Sequence, residues 1–265
     1  LYVYDLAGKQ VQFLAVGPMN NVDLRSGLAI NGLPETVIAA SDRVKGGAAV
    51  FKLDPVTLQT AYWGFVPMPT SEAYGFCMGV TRTNQLTFVM VGKNGDVMQS
   101  VITSENDQPQ ARIVRQFAVG TQSEGCVVDD ASGRLYIAEE NVALWQYGLD
   151  PASGTARKAV EPLPSQKLVA DIEGLTLLRE GPHTFLIASS QGDSAFAVYP
   201  GNGIDAVTGT DGVAALGGQV GPYGKGVVVL QDDSDTDGET PATARQRQNF
   251  KIVDWDKITK ALKIQ

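Results

Sequence analysis

A unit of strands recurs about every fifty residues along this chain, and a repeat of that length leaves few folds open. The clearest copies are short apolar runs that end in small or polar residues: IAASDR (38–43), VMVGKN (89–94), YIAEEN (136–141), LIASSQ (186–191) and VVLQDD (228–233). With Ala39, Val91, Ala138, Ala188 and Leu230 taken as equivalent, successive copies stand 52, 47, 50 and 42 residues apart. A second run follows each copy: AAVFKL (48–53), DVMQSV (96–101), VALWQY (142–147), SAFAVY (194–199) and, after a long insertion, NFKIVDW (249–255). LYVYDL (1–6) matches this second run with nothing before it. A third run precedes each copy: NNVDLR (20–25), EAYGFCMGV (72–80), SEGCVVDD (123–130), DIEGLTLL (171–178) and, more loosely, TDGVAALG (210–217). Alternating strands repeated at this period predict an all-β chain, a six-bladed β-propeller. Residues 1–265 read as a single domain with five full blades and the end of a sixth, so the first blade is incomplete in this chain. Leu1 falls within a strand-like run, so about fifty residues of the first blade are expected upstream, and the lack of a signal peptide carries no meaning.

The third run carries the chemistry. In four copies a polar residue stands directly before a glycine: Tyr74-Gly75, Glu124-Gly125, Glu173-Gly174 and Asp211-Gly212. Arg43, Lys93, Glu140 and Gln191 close the preceding type of strand in their own copies. Propeller geometry brings equivalent positions around one axis, so these residues are expected to form a rim of carboxylates with a few cations. A single such residue reads as a solvated turn; the same position in four copies does not.

Composition narrows the partners of such a rim. The net charge of −8 argues against nucleic acid, which asks for a basic face. The one histidine, His183, removes most zinc chemistry and any mechanism that needs two histidines. Its setting, GPHTF, reads as a turn before a strand. Cys77 and Cys126 lie in apolar runs and are expected as two buried thiols, with a disulfide between them as the alternative. Neither opens a cysteine-x5-arginine phosphatase loop, because Thr83 and Ser132 stand where the arginine would be. No apolar run is long enough to cross a membrane as a helix.

Carboxylates with so little histidine favour a hard cation. Glu124, Glu140, Asp171, Glu173, Gln191, Asp205 and Asp211 supply the oxygen ligands that calcium takes, and several ions are expected. Calcium would turn an acidic rim into a site for a highly anionic substrate, with Arg43 and Lys93 as direct phosphate contacts. The chemistry expected is direct attack of water, with no covalent enzyme intermediate. A separate Asp-x-Asp-x-Asp-Gly run at 233–238 resembles half of an EF-hand loop, but its twelfth position is Ala244. DWDKITKALK (254–263) reads as a short helix capped by Asp254.

These residues resemble the β-propeller phytases, the calcium-dependent alkaline phytases of bacteria, nearly end to end. The specific match is Asn20-Asn21-Val22-Asp23-Leu24-Arg25, supported by Ala73-Tyr74-Gly75-Phe76, Ser123-Glu124-Gly125, Asp171-Ile172-Glu173-Gly174-Leu175 and Ala188-Ser189-Ser190-Gln191-Gly192. The resemblance implies calcium-dependent release of phosphate from phytate (myo-inositol hexakisphosphate) or its calcium salt by a secreted or periplasmic monomer of the 3-phytase kind. It assigns Glu124, Glu140, Asp171 and Glu173 to catalysis and metal binding, Gln191, Asp205 and Asp211 to metal binding, and Arg43, Tyr74 and Lys93 to phosphate. Asn21 and the Val22 carbonyl correspond to a structural calcium site. Two departures stand out: the family's aspartate-rich Asp-Asp-Pro-Ala motif has no match after Leu1, and Asn94 replaces the glutamate that usually follows the lysine. They imply the alternative of a weak or inactive propeller that binds calcium-phytate or serves a full phytase domain.

Overall fold

The computed structural model describes all residues except 31–32, 194, 200–210, 233–248 and 265. The EF-hand-like run at 233–238 therefore lies outside the described residues, as does Asp205. No described helix is long and apolar enough to cross a membrane. The chain divides into two compact units, Leu1–Glu139 with Gln146–Lys158, and Glu140–Trp145 with Ala159–Gln265.

The fold is all-β, a succession of antiparallel up-and-down sheets of the kind that make propeller blades. The first sheet holds β3 (Met19–Ile30), β4 (Leu33–Asp42), β5 (Gly47–Leu53) and β6 (Thr60–Pro67) in chain order. The second holds β7 (Ala73–Val80), β8 (Leu86–Gly92), β9 (Asp96–Glu105) and β10 (Gln108–Ala118). The third holds β11 (Ser123–Asp129), β12 (Arg134–Glu139), β13 (Ala143–Gly148) and β14 (Arg157–Pro162). Three-stranded sheets follow: β15 (Ile172–Glu180), β16 (His183–Ser190) and β17 (Ala195–Tyr199), then β18 (Val213–Gly217), β19 (Gly226–Asp232) and β20 (Asn249–Asp254). Ahead of them, among the described residues, β1 (Tyr2–Tyr4) pairs only with β2 (Gln10–Phe13). Five blade sheets are thus found among the described residues rather than the six expected from the repeat, because LYVYDL forms half of a two-stranded ribbon.

Each expected run falls on a strand, and the third runs are the first strands of the five sheets. The middle strands are the most buried: every residue of β8 is buried, in keeping with a sequence that is apolar apart from Thr87. Within the first unit, Val37, Ala39, Val50 and Val66 of the first sheet pack with Phe76, Met78, Phe88 and Met90 of the second. Burying a side chain such as Phe88 stabilises the fold by about 2 kcal/mol. Within the second unit, Leu178, Phe185, Ile187 and Phe196 pack with Val228, Leu230 and the fully buried Trp255. The C-terminal helix α1 (Trp255–Ala261) forms as expected, with the Asp254 carboxylate accepting from the Asp256 backbone N–H. His183 begins β16 at the surface, in keeping with a turn-flanking residue.

The cysteines depart from the expected thiols. Cys77 on β7 and Cys126 on β11 form a disulfide, with Cα atoms 5.6 Å apart. First strands of neighbouring sheets lie side by side here, so two positions 49 residues apart in sequence face each other. Periodicity within each strand gives no sign of that pairing.

One irregularity recurs. The pairing of each of the first four sheets' first strands slips by one residue near its start. Met19 faces Asp42 but Val22 faces Ala40. Ala73 faces Gly92 but Gly75 faces Val91. Ser123 faces Glu139 but Cys126 faces Ile137, and Ile172 faces Ser190 but Leu175 faces Ala188. Each slip is a β-bulge with one extra residue, a device that re-aims side chains. The residues it carries are Asn20-Asn21, Tyr74, Glu124-Gly125 and Glu173-Gly174.

Candidate functional site

The bulges explain the polar-glycine pattern at Tyr74-Gly75 and Glu173-Gly174. A bulged strand start lies against the backbone of the next sheet's first strand, and glycine leaves room for it. A β-carbon at Gly75 would collide with the carbonyl of Glu124. Gly174 donates its N–H to the carbonyl of Asp211 at 2.9 Å, and a β-carbon there would strike that same oxygen. The glycine fixes the approach of two strands, and the residue before it becomes the side chain on offer.

In the first unit, the three proposed phosphate contacts come together. The guanidinium of Arg43 lies 5.2 Å from the centre of the Tyr74 ring, and the ammonium of Lys93 lies 5.3 Å from it. Two cations over one ring hold positive charge in place without cancelling it. Arg43 also forms an ion pair with Glu72, a partner that the sequence reading did not single out. Arg43 and Lys93 stand one residue beyond β4 and β8, where the strand ends release their side chains.

Glu124, on the bulge of β11, is buried to 8% exposure. Its Oε1 accepts from Asn20 Nδ2 at 2.8 Å, and Asn21 Nδ2 stands 3.5 Å from the same oxygen. Asn21 also donates its backbone N–H to Ser41 Oγ at 3.1 Å. Val22 is exposed.

The rest of the NNVDLR motif is a staple. Arg25 Nη1 meets Asp23 at 2.9 Å and Nε meets Asp130 at 2.8 Å. Asp23 accepts from Met78 N–H and Asp130 from Val80 N–H, at 2.8 and 2.9 Å. Arg25 thereby ties β3 to β7 and to the end of β11. The two carboxylates hold its guanidinium above its ordinary pKa, despite the opposing effect of burial.

In the second unit, Glu140 and Glu173 are both buried, with carboxylate oxygens within 4.8 Å of one another. Asp171 directly precedes β15. Its backbone N–H and that of Ile172 both donate to the carbonyl of Glu140 at 3.0 Å, and its carbonyl accepts from Gln191 N–H at 2.8 Å. Asp171 has φ of 81°, a left-handed conformation that only a few non-glycine residues tolerate. The chain is strained there and held on both sides. The side chain of Gln191 donates to Asp211. Backbone bonds thus link Asp171 to Glu140 and Gln191, and the Gln191 side chain links on to Asp211.

This donor set fits calcium. Every candidate ligand is an oxygen, and none is histidine or cysteine. Two carboxylates buried this close repel each other when both are ionised, and a cation between them would relieve that repulsion. Glu140, Asp171, Glu173, Gln191 and Asp211 are the residues of the second unit that could hold such an ion; Glu124 is, separately, a candidate oxygen ligand of the first unit.

The phytase family model matches residues 1–265. The 3-phytase of Bacillus subtilis (strain 168) is 34% identical over 287 residues, covering 99% of this chain and 74% of that protein. Among solved structures, apo ctPRC2 in an autoinhibited state has a TM-score of 0.53 at 13% identity, over 84% of this chain. An engineered GH43 glycoside hydrolase has a TM-score of 0.51 at 10% identity, over 80%. The chain spans 52% and 46% of those two structures, and at such identities they show the fold alone. The match along the whole chain and the similarity to a 3-phytase show that this chain belongs to the phytase family of enzymes.

Proposed function

We propose that this protein is a calcium-dependent phosphomonoesterase that releases inorganic phosphate from phytate or calcium-phytate. The observation that carries the reading is the buried pair Glu140 and Glu173, two carboxylates whose oxygens lie within 4.8 Å of one another in an all-oxygen setting. Bound calcium would neutralise these carboxylates, attract phosphate oxygens and make a nearby water more acidic. Arg43 and Lys93, held over Tyr74, bind and orient a phosphate group of the substrate. In the second unit Glu140, Asp171 and Glu173 act as ligands and orient the attacking water, and in the first unit Glu124 acts as a ligand. The water oxygen bonds to phosphorus as the bond to the inositol oxygen breaks, and the water proton ends on the departing alkoxide. The fold of this reading is a six-bladed propeller, with the β1–β2 ribbon belonging to a sixth blade. The Cys77–Cys126 disulfide supports a secreted or periplasmic setting, since such bonds persist in oxidising compartments. The substrate is met by a monomer.

Asn94 favours a second reading. It replaces a carboxylate beside Lys93, and its backbone N–H is taken up by Ser71 Oγ at 3.1 Å. A site weakened there would bind calcium-phytate and turn it over slowly or not at all. Phosphate release from phytate at mildly alkaline pH, measured with calcium and then with excess chelator, separates the two. Release abolished by chelator supports the enzyme. Calcium-dependent phytate binding by calorimetry without release supports the binding protein, and neither signal overturns both.

A further inference from the structure

We propose that Asn20 is a positioning residue that aims the Glu124 carboxylate; this rests on the reading of Glu124 as a site ligand. Asn20 sits on the bulge of β3, and its amide nitrogen makes two good hydrogen bonds. One runs to the Tyr74 carbonyl at 2.9 Å and the other to Glu124 Oε1 at 2.8 Å. A single side chain thus joins the bulges of three successive first strands, β3, β7 and β11. Glu124 has a flexible stem, and its buried carboxylate must find a donor. With Oε1 committed to Asn20, the plane of the carboxylate is fixed, and so is the direction in which Oε2 points. Hydrogen bonds to a ligand's own carboxylate orient it in this way, and losing one typically costs about 10–100-fold in metal affinity or activity.

The second bond gives Asn20 its leverage. By also holding the Tyr74 carbonyl, Asn20 fixes Glu124 relative to the strand whose ring carries Arg43 and Lys93. Its neighbour Asn21 is the weaker partner of Glu124, with a separation of 3.5 Å. Asn20 itself is exposed, so replacing it opens no cavity in the core.

The test compares Asn20→Ala and Asn20→Leu with the unmodified protein. Leucine keeps most of the volume and removes the donor. Calcium titration by calorimetry and phytate kinetics are read together with the melting temperature in chelator. The expected result is calcium binding weakened and kcat lowered by about 10-fold or more in both variants, with KM and the melting temperature in chelator little changed. Glu124→Gln supplies a cycle: Asn20→Ala should add little to its loss, because there is then no carboxylate to aim. Unchanged calcium binding and kcat in both variants would overturn the proposal. So would losses that simply add to those of Glu124→Gln, or a lowered melting temperature as the sole effect. An unmodified protein that neither binds calcium nor releases phosphate would instead mark failure of the functional reading itself.

Discussion

Gly75 lies so close to the carbonyl oxygen of Glu124 that a β-carbon on it would overlap that atom. The contact is backbone against backbone, so no side chain can swing aside. Gly75→Ala must push β7 from β11 at the bulges that carry Tyr74 and Glu124. Overpacking of this kind costs about 1–3 kcal/mol, and the unyielding partner places this position at the upper end. Urea unfolding of the variant should show a lowered midpoint, with phytate turnover reduced in the folded fraction.

Reduction of the Cys77–Cys126 bond gives a second prediction. It closes a loop of 49 residues, for which the chain-entropy account gives about 4 kcal/mol of stabilisation. Cys77→Ser/Cys126→Ser should therefore melt well below the unmodified protein. Adding reductant should lower the melting temperature of the unmodified protein and leave that of the variant unmoved.

Arg25 separates structure from chemistry within one motif. Arg25→Leu would leave Asp23 and Asp130 facing each other without their cation. With these groups only partly exposed, the expected loss is about 2–3 kcal/mol. Calcium affinity of the folded variant should be unchanged, which calorimetry below the melting transition checks.

Asp171 combines a strained backbone with a charged side chain. Asparagine tolerates the left-handed region and alanine does not, so the two replacements part company. Asp171→Asn should match the unmodified protein's melting temperature in chelator yet lose most calcium-dependent turnover. Asp171→Ala should lose the turnover and about 1 kcal/mol of stability as well.

The phenol of Tyr147 offers a pH signature. Burial raises its pKa above 10.0, while the Arg157 guanidinium hydrogen-bonded to it at 3.1 Å acts the other way. The unfolded chain ionises at about 10 and the folded one only above that. Stability is therefore full below pH 10 and falls as pH rises through the folded value. Tyr147→Phe should flatten this alkaline loss in melting curves taken from pH 9 to 11.

The middle strands were legible because runs such as VMVG and YIA are buried on both faces and need no neighbour to identify them. The fourth strands β6, β10 and β14 were not. Gln108–Ala118 is mostly exposed, with Arg112 and Arg115 inside it, so no apolar period marks it. The carboxylates of the candidate site could be read as a set because each blade repeats the position. Their supports could not. Asn20 and Glu124 are 104 residues apart, and only the packing of first strands makes them neighbours. The disulfide was hidden for a related reason: each bulge shifts the register, so counting from the repeat does not reveal which residues face across two strands.

The recurring one-residue slip also has a bearing on how such a protein can change over generations. Each bulge is absorbed within its own hairpin, near the start of the first strand. Asn20, Tyr74, Glu124 and Glu173 can be exchanged one blade at a time without re-registering the strand behind them. The fold thus offers a row of sockets whose residues can be replaced without a change of register, those of β3, β7 and β11 being coupled through the bonds of Asn20 to Tyr74 and Glu124.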